Sequence, residues 1–560
     1  MTKLAIALAQ LNAHVGHVSD NLNAFQQARE RSAALGADII VSPEMFLSGY
    51  PCDDLVLRDD FMISVERAID DLISLSADGG PAMIIGAPYR EAGKIYNSAF
   101  VIDKGALLAR RDKVALPNYG VFDDKRHFTP GDLKGPVNIR DMKVGLAICE
   151  DIWWPEVCET QAESGAEIIV SLNASPFDEA KQDGRMSHVI ARITETNLPF
   201  IYVNMVGGQD ELVFDGGSFA VNVKGALAAQ LPLMNEAVSL VHCQSTLDHQ
   251  IHLTGQISPP ETGLSLIYRA LMLGIRDYVT KNGFPGVALG LSGGIDSALV
   301  AILAVDALGA DAVRCLMLPS GYTADISKAD ADEMAARLGI RIDTIPIGEG
   351  MSAVDQMMAP LFEGTTADIT EENIQSRLRG LLLMALSNKF GNMILTTGNK
   401  SEYAAGYATL YGDMCGGFAP LKDVWKTVVF ELSKWRNGHV PRGALGPDGE
   451  VIPTRIITRP PSAELRPDQE DTDSLPPYDV LDAILKAITE EMASPEEIVA
   501  RGYDQDDVER VSRLLFRAEY KRFQSAPGPK ITKIAFGRDR RLPLTSGFLP
   551  KTIHTSETTS

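Results

Sequence analysis

The eight residues Gly290-Leu-Ser-Gly-Gly-Ile-Asp-Ser297 form a turn whose residue types suit phosphate binding. They follow an apolar run that begins at Val287 and precede a helical pattern over 298–308. A strand, a glycine turn and a helix start in this order direct backbone N–H groups and the positive end of the helix dipole at one spot. No lysine follows the glycines, so the turn differs from the Walker pattern. An ordinary glycine-rich turn is the alternative, but two serines and an aspartate in register favour phosphate binding.

Three short strings in the first half of the chain supply a carboxylate, a lysine and a cysteine. Glu44 lies in S-P-E-M-F, Lys113 in D-K-V-A-L-P-N-Y, and Cys149 in A-I-C-E-D-I. A cysteine nucleophile needs a base to form its thiolate and a cation or N–H donors to stabilise an oxyanion. Singly, the three residues also fit a helix-terminal carboxylate, a solvated lysine and a small core residue. Together they provide one group for each catalytic task.

The hydrophobic pattern predicts two α/β regions that position these residues. Short apolar runs alternate with amphipathic stretches over residues 1–245, which predicts a layered α/β domain. The polar, proline-containing segment 246–262 is predicted as a linker. Strands and helices alternate again in the second domain, 263–560, as in a doubly wound parallel sheet. Within it, 436–477 holds eight prolines, which predicts a mobile lid-like loop or, alternatively, a disordered one.

Size and composition limit the class of protein. A chain of 560 residues is too long for one core and predicts two or three domains. The net charge of −22 argues against nucleic acid or an anionic membrane as a partner. The six cysteines contain no C-x-x-C pair, so we expect neither a disulfide framework nor a zinc site. The short first apolar run and the lack of a run of about 20 apolar residues favour a cytoplasmic protein.

The Glu–Lys–Cys set resembles the triad of the nitrilase, or carbon–nitrogen hydrolase, superfamily, and the resemblance covers most of residues 1–245. It implies an α-β-β-α sandwich in which Cys149 attacks the side-chain amide of glutamine. Glu44 would transfer the protons, and Lys113 would stabilise the oxyanion. The resemblance to the glutamine-using branch also implies glutamine contacts from Tyr119, Glu150, Ser175 and Lys181.

The S-G-G-x-D-S turn resembles the pyrophosphate loop of ATP pyrophosphatases, which cleave ATP to AMP and pyrophosphate. Three later strings, at 372–380, 395–402 and 411–421, extend the resemblance to the NAD synthetase family over nearly all of 263–545. It implies ATP contacts from Gly290, Leu291, Ser292, Gly293, Gly294, Ile295, Asp296, Ser297 and Thr397. It implies deamido-NAD contacts from Asn373, Lys400, Glu402, Asp413, Lys426 and Lys521. It also implies a magnesium ion held by Asp296 and Glu402.

Together the two resemblances imply a carbon–nitrogen ligase that makes NAD with glutamine as the amide-nitrogen donor, the last step of NAD biosynthesis. ATP would adenylate the nicotinate carboxylate of deamido-NAD (nicotinic acid adenine dinucleotide). Ammonia released from glutamine at Cys149 would pass to the synthetase site and displace AMP. The expected ligands are therefore ATP, deamido-NAD and L-glutamine, and a homo-oligomer, dimeric or larger, is expected.

Alternative functions fit the sequence less well. GMP synthetases carry a Gly-x-Cys-x-Gly glutaminase motif, and asparagine synthetases have a catalytic cysteine at position 2, where this chain has threonine. A regulatory protein with degenerate domains would be expected to lose part of the triad or of the glycine turn, and both are intact. A nitrilase acting alone leaves the second half of the chain unexplained.

Overall fold

The computed structural model describes residues 3–179, 181–248, 250–467 and 469–550. The chain divides into two compact units between Thr262 and Gly263. Among the helices of the described residues, none combines the length and the apolar character needed to cross a membrane.

The first unit is dominated by short strands rich in β-branched and other apolar residues. Its strands are β1 (Lys3–Gln10), β2 (Ile39–Val41), β3 (Ala82–Glu91), β4 (Lys94–Asp103), β5 (Ala106–Asp112), β6 (Val137–Ile139), β7 (Met142–Ile148), β8 (Ile168–Asn173), β9 (Phe200–Asn204), β10 (Val206–Gln209), β11 (Leu212–Asp215), β12 (Phe219–Val221), β13 (Leu227–Gln230), β14 (Ala237–Ser245) and β15 (Ile251–Gly255). Its helices are α1 (Val18–Ala34), α2 (Asp59–Leu75), α3 (Asp124–His127), α4 (Pro155–Glu163) and α5 (Lys181–Thr196).

These strands form two large sheets and a hairpin. One sheet has the order β15-β14-β1-β2-β3-β4-β5, the other has the order β13-β12-β9-β8-β7-β6, and β10 pairs with β11. Strands β1, β2 and β3 run parallel in the first sheet, as do β7, β8 and β9 in the second. The carboxyl ends of parallel strands meet at one edge of a sheet, and there loops carry functional side chains.

Side chains alternate between the two faces of each strand, so both faces of each sheet are packed and the unit has four layers. Ile6 and Leu8 of β1 pack with residues of the second sheet such as Leu146, so this apolar layer lies between the two sheets. Ala7 of the same strand points the other way, towards Phe25 on α1. Helices α4 and α5 cover the outer face of the second sheet. The predicted α-β-β-α sandwich is therefore confirmed.

The segment predicted as a linker, 246–262, contains strand β15. This strand pairs antiparallel with β14 and extends the first sheet at its edge. The linker prediction is corrected for these residues, because the alternation in I-H-L-T-G spans only five residues and is too short to stand out from a polar loop.

The second unit joins one small sheet to many helices. Its strands are β16 (Val287–Gly290), β17 (Val313–Met317), β18 (Arg341–Thr344) and β19 (Met393–Ile394). Its helices are α6 (Leu264–Lys281), α7 (Ile295–Leu308), α8 (Asp325–Leu338), α9 (Gly348–Met358), α10 (Ile369–Phe390), α11 (Lys400–Ala405), α12 (Lys426–Gly438), α13 (Thr454–Thr458), α14 (Tyr478–Thr489), α15 (Pro495–Ala500), α16 (Gln505–Arg517) and α17 (Glu519–Phe523).

The sheet of the second unit has the order β18-β17-β16-β19, and its strand pairs are parallel. Ala288 and Leu316 pack against Leu386 of α10 on one face. Successive residues of a strand point to opposite faces, so α7, which contacts β16 and β17, covers the other face. This arrangement is the doubly wound parallel sheet that the sequence predicts, with the glycine turn at the end of β16.

The lid segment, residues 436–477, contains helical structure that the sequence does not predict. It contains α13 and a short 3-10 helix, Asp471–Asp473. At its start, Arg436 donates to both carboxylate oxygens of Asp306, at 2.7 and 3.0 Å, and both side chains are buried. The predicted motion of the segment stays a prediction.

Two candidate active sites

The cysteine of the first unit sits on a sharp turn. Cys149 is the first residue of a 3-10 helix that directly follows β7, and its φ of 48° lies in the left-handed region. Such a conformation costs a residue with a side chain about 1–3 kcal/mol and has to be held by its surroundings. The Asp151 carboxylate accepts from the N–H of Ile148 at 2.9 Å and so holds the turn.

The same aspartate also fixes the chain next to the lysine. Its other oxygen accepts from the N–H groups of Val114 and Ala115, at 2.9 and 2.8 Å. Burial raises the pKa of Asp151 to about 6, although these N–H bonds oppose the shift. One buried carboxylate therefore connects the turn at Cys149 to the segment that carries Lys113.

Glu44 and Lys113 form an ion pair whose side chains have no exposed area. The Lys113 Nζ lies 2.8 Å from the Glu44 Oε1, which also accepts from Asn97 Nδ2 at 2.8 Å. The Glu44 Oε2 accepts from the N–H of Ala174 at 3.0 Å. Each carboxylate oxygen thus has a partner, as a buried charge requires.

A second carboxylate holds the lysine from the other side. The Lys113 Nζ donates to Asp124 Oδ2 at 2.8 Å, and the Tyr50 hydroxyl donates to Asp124 Oδ1 at 2.9 Å. Burial alone lowers the pKa of Lys113, but Asp124 and then Glu44 outweigh it and raise that pKa well above its usual value. The ammonium is therefore charged at neutral pH and fixed in position.

The thiol, by contrast, is not activated at rest. Burial and the nearby Glu44 carboxylate raise the pKa of Cys149 well above its usual value, while Lys113 and the Ala174 N–H oppose that shift. The resting side chain is thus a thiol, and attack on a substrate requires a base within reach. Glu44 is the carboxylate whose charge acts most strongly on it.

A cavity of about 50 Å³ opens beside the thiol. Three of the four predicted glutamine-binding residues line it with Cys149, namely Glu150, Ser175 and Lys181. The fourth, Tyr119, donates to the two oxygens of Glu150 at 3.0 and 2.9 Å and holds that carboxylate in place. Sequence reasoning missed other lining residues, which are Phe122, Ile152, Trp153, Gly184, Arg185, His188 and Tyr202.

Sequence reasoning also missed the residues that hold the triad, namely Asn97, Asp124 and Asp151. Asp151 stands two residues after the cysteine, but an adjacent pair of acids is more often exposed than buried. The pairing of Asp124 with Lys113 was not visible, because eleven residues and a loop separate them.

In the second unit the glycine turn has the geometry that a phosphate site needs. Gly293 has a φ of 80°, and a Cβ there would lie 2.3 Å from the Ser327 carbonyl oxygen, so glycine is required. The Ser297 hydroxyl accepts from the N–H of Ser292 at 3.2 Å and donates to the Gly294 carbonyl at 2.9 Å. The turn is therefore closed on itself, at the N-terminus of α7.

Two carboxylates and a lysine meet next to this turn. The Lys426 Nζ lies 2.5 Å from Asp296 Oδ2 and 3.4 Å from Glu402 Oε1. Asn399 caps α11 through the N–H of Glu402 at 3.1 Å and donates to Asp296 Oδ1 at 2.9 Å. Burial, and then the Asp296 charge, raise the pKa of Glu402 to about 8.

These groups line a cavity of about 290 Å³. Among the predicted residues, the lining includes Gly290, Leu291, Ser292, Gly294, Ile295, Asp296, Ser297, Thr397, Glu402, Asp413 and Lys426. Asp413 is held by the N–H of Thr409 at 2.7 Å, and burial raises its pKa to about 6. All the predicted ATP-binding residues except Gly293, and three of the six predicted deamido-NAD-binding residues, therefore line one cavity.

Lys400 does not lie at this cavity, which corrects its predicted contact with deamido-NAD. Its side chain is fully buried and pairs with Asp423 at 2.8 Å and Glu490 at 2.9 Å. It also lies 4.6 Å from the centre of the Trp425 ring. An ammonium that is already surrounded by two carboxylates and a ring has no open side for a substrate, so we assign Lys400 to the support of α11.

Two other residues predicted to contact deamido-NAD, Lys521 and Asn373, are not among the residues that line the cavity. The Lys521 Nζ donates to the carbonyls of Gly406 and Ala408, each at 2.7 Å. Asn373 accepts from the Thr409 hydroxyl at 2.9 Å. Both side chains therefore fix the loop that leads to Asp413.

Sequence reasoning missed Arg379, Arg459 and Asp471, which also line the cavity. Arg379 lies in the string at 372–380, where two arginines share a helix. Arg459 and Asp471 belong to the lid segment, whose irregular sequence carries no periodicity from which their direction could be inferred.

The donor set at this cavity fits a magnesium ion. Among the described residues, no group of three or more histidine, cysteine, aspartate or glutamate side chains is placed to hold a metal by itself. Asp296 and Glu402 supply two carboxylates that line the cavity next to the glycine turn. Magnesium is usually held by one or two carboxylates together with the phosphates of a substrate, so two are sufficient when a nucleotide is present.

Comparison with known families agrees with this division of sites. Residues 5–250 match the carbon–nitrogen hydrolase family, and residues 267–525 match the NAD synthase family. The fold and the sites therefore define a two-domain enzyme that joins a carbon–nitrogen hydrolase to an NAD synthase.

Relatives that align over nearly the whole chain identify the family. A glutamine-dependent NAD(+) synthetase of Rhodobacter capsulatus is 48% identical over 542 residues, covering 97% of this chain and 98% of the relative. One from Acinetobacter baylyi is 44% identical over 551 residues, covering 98% and 100%. The solved Acinetobacter baumannii glutamine-dependent NAD+ synthetase, in complex with adenosine diphosphate, is 41% identical with a TM-score of 0.77, covering 98% of this chain and 100% of that one. The chain belongs to the glutamine-dependent NAD(+) synthetase family.

Proposed function

We propose that this enzyme converts deamido-NAD to NAD with ATP and with ammonia that it releases from glutamine. The observation that carries the proposal is the presence of two complete sites in one chain. The first unit has a buried Glu44–Lys113 pair beside the thiol of Cys149. The second has a phosphate-type turn with two carboxylates and a lysine around a cavity.

Glutamine hydrolysis would begin with attack of the Cys149 sulfur on the side-chain amide carbon. Glu44 takes the thiol proton and returns one to the nitrogen, so the carbon–nitrogen bond breaks and ammonia leaves. The ammonium of Lys113 stabilises negative charge during attack. Water then cleaves the thioester and glutamate leaves. Glu150, held by Tyr119, suits the α-amino group of glutamine, and Lys181 suits its carboxylate.

Amide synthesis would take place in two steps in the second unit. A nicotinate carboxylate oxygen attacks the α-phosphorus of ATP, and the bond to the bridging oxygen breaks, so pyrophosphate leaves with the electron pair. Ammonia then attacks the carboxyl carbon, loses a proton, and AMP leaves. The N–H groups of the turn at 292–297 and the hydroxyls of Ser292 and Ser297 would hold the departing pyrophosphate.

Magnesium would be held by Asp296 and Glu402 together with ATP phosphates, and it would supply positive charge that offsets the phosphate charge. Lys426, which pairs with both carboxylates, would keep them in place. Asp413, in a loop that Lys521 and Asn373 fix from behind, would bind the nicotinate end of deamido-NAD.

The test uses the full-length protein with ATP, magnesium chloride and deamido-NAD. One sample receives glutamine and the other ammonium chloride, and NAD, AMP and glutamate are quantified. Wild type should form NAD and AMP from either donor, and Cys149→Ala should form them from ammonium alone. Failure of wild type to form NAD from either donor would refute the substrate assignment.

We also propose that residues 1–245 carry the glutaminase and residues 263–560 the synthetase, and that the enzyme is a cytoplasmic homo-oligomer. Light scattering of the purified protein measures the mass of the assembly directly. A mass of 60.6 kDa, that of one chain, would contradict the proposed oligomer.

A further inference from the structure

Arg459 of the lid segment reaches the glycine turn. It directly follows α13, and its Nη2 donates to the Gly293 carbonyl at 3.2 Å. Its Nη1 donates to the Ser327 hydroxyl at 2.9 Å. The next residues of the segment, 460–465, also line the cavity. The guanidinium thus lies at the glycine turn, and the segment that carries it borders the same cavity.

The positive charge of Arg459 interacts only weakly with a carboxylate in this position. The nearest carboxylate contact is Glu464, at 3.9 Å, which is outside hydrogen-bond distance. The Ser327 hydroxyl stands between them, because it accepts from Arg459 and donates to Glu464 Oε1 at 2.5 Å. Carbonyl and hydroxyl oxygens are weaker partners for a guanidinium than phosphate oxygens are.

Arg455, four residues earlier, shows the contrast. It pairs with Asp330 at 2.6 Å and with Glu333 at 2.9 Å and so attaches α13 to α8. It is not among the residues that line the cavity. Arg455 thus forms ion pairs with two carboxylates and holds the segment. Arg459 faces the cavity, and its contact with a carboxylate is long and weak.

We infer that Arg459 is a ligand of the ATP phosphates and stabilises the pyrophosphate as it leaves. This inference rests on the proposed function and adds a residue to it. When the bond between the α-phosphorus and the bridging oxygen breaks, negative charge accumulates on the pyrophosphate oxygens. A planar guanidinium can donate two parallel hydrogen bonds to such oxygens, in place of those that it now makes to Gly293 and Ser327.

The experiment compares Arg459→Ala, Arg459→Lys and Arg455→Ala in the full-length protein. Synthesis of NAD from ammonium chloride gives kcat and the KM for ATP, and inhibition by inorganic pyrophosphate gives its Ki. Calorimetric titration with magnesium pyrophosphate measures the same binding without turnover. Circular dichroism and thermal unfolding check that the second unit of each variant is folded, and glutamine hydrolysis at Cys149 checks the first unit.

We expect Arg459→Ala to raise the Ki and the calorimetric Kd for pyrophosphate about tenfold or more, since hydrogen bonds to charged groups carry roughly that much. The KM for ATP should rise as well, and Arg459→Lys should fall in between. Arg455→Ala, which loosens the attachment of α13 to α8, should weaken pyrophosphate binding less than Arg459→Ala does. Unchanged pyrophosphate binding in Arg459→Ala, or equal weakening in Arg455→Ala, would overturn the inference.

The outcomes separate this inference from the proposed function. If wild type forms no NAD, the proposed function fails, and the calorimetric Kd still decides the role of Arg459. If wild type forms NAD while Arg459→Ala binds pyrophosphate normally, only the inference fails.

Discussion

The two sites of this enzyme neutralise their charges in different ways. In the first unit Lys113 lies between Glu44 and Asp124, and every oxygen of the two carboxylates has a donor from the protein. In the second unit Lys426 spans Asp296 and Glu402 at unequal distances, and Arg459 lies against neutral oxygens. The first cavity measures about 50 Å³ and the second about 290 Å³.

The difference follows from what each site would bind under the proposed function. The side chain of glutamine would bring no net charge to the thiol, so a site for it can be completed by the protein alone. ATP, deamido-NAD and a magnesium ion would bring several charges, so their site would need charges that change partners when the ligands arrive. We therefore expect the first site to depend on its own ion pairs and the second to depend on its ligands.

The largest expected effect comes from the base of the first site. Glu44→Gln keeps the shape of the side chain but removes its ability to take the thiol proton, and Cys149 is a thiol at rest. General acid–base groups contribute about 10²–10⁴-fold to rates, so glutamine hydrolysis should fall by that factor. The measurement is glutamate release.

NAD synthesis from ammonium chloride by the same Glu44→Gln preparation serves as the internal control. It should stay within about twofold of wild type, since the change lies in the other unit. If glutamate release persists at the wild-type rate, Glu44 is not the base, and the assignment of the triad is wrong.

The next effect is on stability. Lys113→Met leaves two buried carboxylates without their shared cation, and breaking a buried ion pair in this way costs about 3–5 kcal/mol. The free energy of unfolding, from denaturant titration followed by tryptophan fluorescence, should fall by this amount in the transition of the first unit. Lys143→Met on the exposed side of β7 is the matched control and should stay within about 0.5 kcal/mol of wild type.

An equal loss in both lysine variants would show that the ion pairs of Lys113 do not stabilise the first unit. The contrast between the two sites would then be wrong, because it assumes that the ion pairs of the first site stabilise that unit.

The fold could be predicted from the sequence more fully than the contacts that support the two sites. The glycine turn, Glu44 and Cys149 were visible because each follows a short apolar strand, and strand ends place functional residues at a sheet edge. Lys113 follows the charged end of β5 and was found through the family resemblance. Strand β15 was missed because it spans only five residues. Asp124 was missed because a loop separates it from Lys113, and Arg459 because its partners Ser327 and Gly293 lie 132 and 166 residues away. Lys400 was misassigned because its burial between Asp423 and Glu490 depends on segments about 20 and 90 residues away.

Removal of divalent metal should separate the two sites. With excess chelator, NAD synthesis from ammonium chloride should fall about 100-fold or more, because a metal ion supplies several kcal/mol of charge stabilisation. Glutamine hydrolysis should change by less than about twofold, since its charges are provided by Lys113 and its neighbours. Restoring magnesium chloride should restore synthesis. Equal loss of both activities would contradict the expected independence of the first site.

The smallest effect concerns acid pH and Asp151, whose pKa of about 6 results from burial. As the pH falls through about 6, this carboxylate takes up a proton and holds the N–H groups of Ile148, Val114 and Ala115 less firmly. Glutamine hydrolysis should therefore drop by about half at pH 6 and about tenfold at pH 5, as a single protonation predicts.

This loss should not come from unfolding through Asp151. Its pKa in the folded protein lies above its ordinary value of about 3.9, so the folded state takes up the proton more readily. The group therefore disfavours folding above about pH 6, and this penalty decreases as the pH falls. Activity should decline while the contribution of Asp151 to stability improves, and Asp151→Asn, less active throughout, should lose the decline near pH 6. An unchanged decline in that variant would assign the titration to another group.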